Sequence, residues 1–478
     1  MNQLLFERST GNVGPNVFAR LQTTQLLYSF RPAPHFRFDG GERGTAIRDG
    51  EASLANADAG SHTWAHQAGV SALALERFEG RVLVSGGSDA SIKIWDLENC
   101  GNPSQPHVYS PVARAPRSAQ AHKFGITHLS FYPFDAAAFL SSSYDQTLKI
   151  WSTQNAKVSG SFTLGSKVYT HSISPVASHL LVACGTQHPA ARLVDLRSGA
   201  NVQSLAGHQG AILSTSWSPR HEFSLATGSV DGTIRLWDIR RAGGAIGMLD
   251  KEDSLGLYYN GLLEPDGKVK VRASAKAHAG PVNGLSWTDD GGFIVSAGHD
   301  RRIRVWDAAT GRNTLASFGP SIKNSELATV TMFTSPTGAT RPGKELLLWP
   351  NETEIIVLDL HDGYVITRLR GTGPIVAGTR TKAGAERTVK NRITSLVWRG
   401  AGGVGASSGV VMGGTNMAGG IYSAHLDGQI KAWTPQLQGA DEEIEDGAAG
   451  PDREEKAKKR KAIDDVFKSL MGQKITFA

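Results

Sequence analysis

Four histidine–aspartate sets stand out as candidates for chemistry: His66 with Asp89, His122 with Asp145, His208 with Asp231, and His278 with Asp300. An imidazole beside a carboxylate is the standard pair for general acid–base work, and a neighbouring Ser or Thr hydroxyl would complete a nucleophilic relay. Repetition argues against that use. Each set is followed by a tryptophan at the end of an apolar run (Trp95, Trp151, Trp237 and Trp306), and four copies of one active site on one chain make little sense. A structural role explains the repetition: His, hydroxyl, Asp and indole N–H form a hydrogen-bonded chain that ties strands together within each repeat. In the fourth repeat the hydroxyl is Thr227 or Ser229.

The elements that must position these residues are strands. Leu225–Arg241 reads LATGSVDGTIRLWDIRR, with Asp231-Gly232 between two alternating runs, a strong hairpin signal. Gly207-His208 lies upstream. Gly-His, strand, Asp-bearing turn and Trp-Asp together make the WD-repeat signature. The pattern recurs seven times, with anchor positions Trp95, Trp151, Val194, Trp237, Trp306, Leu358 and Trp433. Trp151, Val194 and Trp237 are spaced by 43 residues, matching the ~40–45-residue period of such repeats. The third and sixth copies are degenerate, with Val194 and Leu358 replacing Trp. The expected fold is all-β: a seven-bladed WD-repeat β-propeller with a short N-terminal helical arm and a C-terminal charged tail plus helix. The expected boundaries are an arm over 1–32, a linker over 33–56, the propeller over 57–438, a tail over 439–461 and a helix over 462–478. A strand within Ala57–Trp64 is expected to close the ring. Insertions are expected near 251–271, 371–390 and 399–409.

Composition narrows the function classes. Two cysteines, Cys100 and Cys184, cannot build a disulfide framework or a Cys-rich zinc site. Neither a membrane span nor a secretory signal is legible. The net charge is +6, while residues 439–478 carry ten acids and eight bases, so the basic excess is spread thinly over the rest. That distribution gives no sequence-specific nucleic-acid groove. Gly400–Gly405 matches GxGxxG but opens no helix, so it reads as a flexible insertion. No P-loop, HExxH or GxSxG motif is present, and neither an enzyme nor a cofactor is expected. Lys456, Lys458, Lys459, Arg460 and Lys461 lie in KAKKRK, a nuclear-import pattern.

The fourth repeat ends Trp237-Asp238-Ile239-Arg240-Arg241. Arg240 two residues after the Asp resembles the box by which many propellers dock on the damaged-DNA-binding adaptor of a cullin–RING ubiquitin ligase. A guanidinium suits such a contact, since it satisfies interface acceptors at small hydration cost. Longer stretches resemble the Cockayne syndrome group A family: LLFERSTG at 4–11, LLYSF at 26–30, EGRVLVSGGSDASIKIWDLEN at 79–99, FYPFDAAAFLSSSYDQTLKIW at 131–151, VYTHSISPVASHLLVACGT at 168–186, LAGHQGAILSTSWSPR at 205–220 and GRNTL at 311–315. That resemblance implies a non-catalytic substrate receptor in transcription-coupled nucleotide-excision repair. The arm would insert into the adaptor through Leu4, Leu5, Phe6 and Arg8, with Trp237, Asp238, Arg240 and Arg241 on the adjoining blade face as the second contact. The opposite face would recruit a Cockayne syndrome group B type repair ATPase beside stalled RNA polymerase II. The rival reading is a scaffold of another nuclear complex, such as chromatin or splicing assembly.

Overall fold

The middle strands of the repeats read as runs of apolar and small residues: VLVSGG at 82–87, AFLSSS at 138–143, LVACGT at 181–186, SLATGS at 224–229 and FIVSAG at 293–298. Such runs suit strands covered on both faces, and all but their first residues are buried. Their small residues admit the next blade. A Cβ at Gly86 would lie 2.7 Å from Ile126 Cγ2, and one at Gly228 would lie 2.8 Å from Val282 Cγ1. Ile126 and Val282 each begin the innermost strand of the following blade, so sheets pack face to face round a ring.

The computed structural model describes residues 2–41, 64–99, 107–199, 201–241, 245–252, 275–336, 338–371, 376–380, 386–400 and 420–435. They belong to one compact unit, Met1–Gln436. It is a seven-bladed β-propeller of antiparallel blades. Blades 1 to 4 run over Val70–Ala115, Ile126–Thr163, Val168–Leu205 and Ile212–Met248. Blade 5 has three strands within Val282–Asp307, and its outer edge is reduced to a single bridge between Trp306 and Asn313. Blade 6 runs over Phe333–Arg370. Blade 7 comprises Ile393–Arg399, Gly420–His425 and Ile430–Pro435, and its fourth strand comes from the other end of the chain.

That fourth strand is Phe30–Pro32, with Phe30 opposite Pro435 and Pro32 opposite Trp433. It corrects the expected closing strand at Ala57–Trp64, of which only Trp64 lies among the described residues. It also moves the propeller boundary back into the supposed arm and linker. The physical reason is aromatic burial. Phe30 sits in the core shared by blades 6 and 7, 5.7 Å edge-on from Trp398. Phe38, within Phe36–Phe38, packs edge-on against Trp95 at 5.2 Å. Ahead of the closing strand, α1 (Asn2–Ser9) and α2 (Pro15–Tyr28) form the arm. Pro15 opens α2 after an extended Gly14, and Thr23 and Leu27 bury its inner side.

Two faces follow from strand direction. Innermost strands begin, and second strands turn into third, on one face, the entry face. Third strands end on the other, the exit face, with Trp-Asp in blades 1, 4 and 5. Because Phe30 pairs with Pro435, at the end of a third strand, α2 joins the ring at the exit face.

The expected tail, nuclear-import pattern, C-terminal helix and GxGxxG insertion lie outside the described residues, as does most of the 251–271 insertion. Residues 376–380 and 386–390 form a separate two-stranded hairpin. Among the described residues, no helix is long and apolar enough to cross a membrane, and no group of three or more His, Cys, Asp or Glu is placed to hold a metal.

Candidate functional site

The histidines take part in closed networks. In blade 2, Trp151 Nε1 donates to Ser141 Oγ at 2.7 Å, and Ser141 Oγ meets His122 Nε2 at 2.6 Å. His122 Nδ1 then meets Asp145 at 2.8 Å. Blade 5 repeats this with Trp306, Ser296, His278 and Asp300. In blades 1 and 4 a hydroxyl mediates the last link. Ser91 and Thr233 each lie 2.8 Å from His Nδ1 (His66 and His208) and bond Asp89 and Asp231 in turn. Thr227 is the blade 4 hydroxyl between His208 and Trp237, while Ser229 instead bonds Gly210 O.

Blade 7 holds a variant in which Trp433 is the expected anchor but its histidine has no sequence signal. Ser423 Oγ accepts from Trp433 Nε1 at 2.9 Å and meets His425 Nε2 at 2.9 Å. Asn391 stands in for the usual His and bonds Asp427. These imidazoles are inside the fold, His66 and His278 at 1% and 0% exposure, which fits a structural role.

The networks control charge. Burial alone would raise the Asp89 and Asp145 carboxyls, but hydrogen bonds from histidine and hydroxyl outweigh it and hold both at about 2. Elsewhere burial dominates. It lowers His128 to about 4 and His425 to about 3, and it pushes His171 well below its ordinary value. These three imidazoles are neutral when folded and protonate near 6.5 when unfolded, so the unfolded state takes up protons first. Their contribution is whole above pH 6.5 and is lost as pH falls, toward 4 for His128 and toward 3 for His425, by about 2 kcal/mol for each of these two at pH 5, with His171 acting in the same direction. The carboxylates act lower, between their ordinary value near 3.8 and 2. Urea midpoints are therefore expected to fall between pH 7 and pH 5, and His128→Leu to flatten that slope.

On the exit face, Asp238 and Arg240 make a tight pair. Arg240 Nε donates to Asp238 Oδ1 at 2.9 Å, Nη2 donates to Oδ2 at 2.6 Å, and the Arg240 backbone N–H adds a third bond at 3.1 Å. The guanidinium hydrogen bonds hold the Asp238 carboxyl below the usual carboxylate range. The guanidinium lies 4.8 Å over the ring of Phe223, in the loop between the first and second strands of blade 4. The Arg240 side chain is nonetheless 64% exposed, so its pose is set without its donors being hidden. Val176, Arg220 and Glu222 complete a depression of about 460 Å³. Arg241 is exposed beside it.

Trp237, placed by the sequence reading among adaptor contacts, needs correction. It is 1% exposed and its indole N–H is spent on Thr227, so no partner can touch it. Phe6 is 66% exposed and Arg8 is also exposed, on the first arm helix. The side chains of Leu4 and Leu5 lie outside the described set. Phe78, Phe134 and Val176, exposed in first-to-second-strand loops of blades 1, 2 and 3, extend an apolar rim on this face. Phe223 and this rim escaped the sequence reading, because isolated loop aromatics carry no periodic signal.

A blade ring with these networks defines a WD-repeat propeller, typically a scaffold rather than a catalyst, and the comparisons agree. The family model for the WD domain, G-beta repeat, matches residues 61–96, 115–152, 199–238 and 269–307. Those four segments hold the complete His–Asp–Trp sets. The chain is 31% identical over 310 residues to WD repeat-containing protein ATCSA-1 of Arabidopsis thaliana, covering 53% of this chain and 69% of that one. It is 29% identical over 199 residues to Radiation-sensitive protein 28 of Saccharomyces cerevisiae, covering 40% and 39%. It is 28% identical over 270 residues to Ribosome biogenesis protein YTM1 of Phaeosphaeria nodorum, covering 51% and 54%. The chain belongs to the WD-repeat protein family. It spans well under two thirds of the yeast and YTM1 relatives.

Proposed function

We propose that this chain is a non-catalytic substrate receptor, coupling the damaged-DNA-binding adaptor of a cullin–RING ubiquitin ligase to repair complexes at stalled RNA polymerase II. The observation that carries this reading is geometric: the helical arm and the posed Arg240 lie on the same face of one ring. Leu4, Leu5, Phe6 and Arg8 on the arm, and Arg240 and Arg241 on blade 4, are the proposed adaptor contacts, with Asp238 holding Arg240 in position. The apolar rim supplies area that a guanidinium alone cannot. The opposite face is left to recruit a Cockayne syndrome group B type ATPase. Similarity to ATCSA-1 and to a radiation-sensitive protein supports a repair role. The proposed location is the nucleus, through Lys456–Lys461. In this role the chain would transfer nothing itself and would act by holding a target near the transfer machinery.

A second reading is favoured by the YTM1 relatives: a scaffold in ribosome biogenesis, with the same ring and the same import signal. Capture of the tagged chain from nuclei separates the two. Recovery of adaptor and cullin supports the receptor, whereas recovery of preribosomal proteins without adaptor replaces it.

A further inference from the structure

The entry face carries a site of different character. Blade 6 keeps only Phe333–Thr334 of its innermost strand, because the segment before it, 324–331, crosses the mouth of the central channel. Asn283 of blade 5 fastens this segment. Its Nδ2 donates to Asn324 Oδ1 at 2.9 Å, to Glu326 O at 2.8 Å and to Ala328 O at 3.1 Å. Thr329 Oγ1 reaches across to blade 4 and donates to Leu213 O at 2.8 Å. The segment is thus bolted in place and narrows the mouth to a cavity of about 480 Å³. Tyr144, Tyr169, Lys323, Trp349, Glu352 and Arg392 are among its walls.

Two observations describe the occupant. The first is charge. Arg392 and Lys323 stand 4.0 and 3.9 Å from Glu326 and Glu352, at the limit of ion pairing, so they remain open to a better acceptor. Lys123, Lys167, Arg301 and Arg302 are exposed in connections that open on this same face. The acids sharing those connections, Asp89, Asp145, Asp231 and Asp300, are drawn into the histidine networks. The second is an apolar flank. Tyr144 meets Tyr169 edge-on at 6.2 Å, and Phe124 and Leu327 are exposed nearby.

We propose that the channel mouth on the entry face binds an extended acidic segment of a partner protein, with carboxylates taken by Arg392 and Lys323 and apolar side chains by the two tyrosines. The proposal deepens the receptor reading and rests on its claim that this face recruits partners. Nucleic acid fits less well. Glu326 and Glu352 stand inside the mouth, where a continuous row of phosphates would meet both.

The test is fluorescence anisotropy with the full chain and a labelled peptide of alternating glutamate and leucine. Glutamine-for-glutamate and lysine-for-glutamate peptides and a labelled oligothymidylate run beside it. The glutamate peptide is expected to bind best and to weaken as salt rises. Arg392→Gln is expected to weaken it by roughly tenfold or more and Lys323→Gln by less, with Arg240→Ala unchanged. Lys323 is 60% exposed, so its variant tests the site without risk to the core. Equal binding of the glutamate and glutamine peptides overturns the proposal. So does indifference to both Arg392→Gln and Lys323→Gln, or preference for the lysine peptide or the oligonucleotide. Adaptor capture on the same preparations separates the failures: peptide binding without adaptor sinks the receptor reading alone, and adaptor without peptide sinks this site alone.

Discussion

Phe30→Ala is expected to destabilise the propeller by about 3–5 kcal/mol, the usual cost of emptying a buried phenylalanine site. Phe30 is 3% exposed and packs with Leu396, Ile421 and Trp433 of blade 7 and with Leu346 and Leu348 of blade 6. It also anchors a strand only three residues long, so its loss weakens the one strand supplied from the other end of the chain. Removing residues 1–32 goes further. It strips the partner from Ile430–Pro435 and exposes a sheet edge, for which aggregation is the expected outcome. Removing residues 1–14 leaves the closing strand and the buried Leu27 of the second helix intact, and the urea midpoint is expected to stay near that of the whole chain. If Phe30→Ala and the whole chain unfold at the same urea concentration, the ring is not closed in this way. A trimmed chain that keeps its stability also separates docking from folding, which deletion through residue 30 would confuse.

The second large effect is expected from Ser141→Ala, by about 2–4 kcal/mol. One hydroxyl there serves two buried partners, the Trp151 indole N–H and His122 Nε2. Deleting it leaves both unpaired, and each such group costs roughly 1–3 kcal/mol. Ser161→Ala, at an exposed site on the outer strand of the same blade, is the control and is expected within about 0.5 kcal/mol of the parent. Equal urea midpoints for the two variants would mean that the network is an ornament of the repeat and not part of its stability.

The ring was legible because its signals repeat. Strand-ending tryptophans, Asp turns and preceding histidines mark blades 1, 2, 4 and 5, and the spacing carries the degenerate third blade between them. The misses share a cause: the deciding interactions are made once. Phe30-Arg31-Pro32 is too short to show alternation and abuts a helical run, so only tertiary burial reveals it as a strand. In blade 6, Asn283 and Thr329 carry the stretch before Phe333 across the channel, and no repeat signal announces those bonds. Blade 7 replaces the usual histidine with His425 and Asn391, a substitution of geometry that no motif describes. The candidate site divides in the same way. Arg240 was visible from its spacing to Asp238, but the Phe223 ring beneath it comes from another loop. Trp237 belonged to the motif yet is spent inside the blade.

The adaptor-docking claim stands or falls on one titration: purified adaptor against the whole chain, Arg240→Ala, Phe6→Ala and Arg392→Gln. Specific binding by the whole chain is expected, with a Kd raised by roughly tenfold or more in Arg240→Ala and in Phe6→Ala. Arg392→Gln, on the opposite face, is expected to bind like the parent. No binding by the whole chain, or a Kd indifferent to both exit-face substitutions, would contradict it.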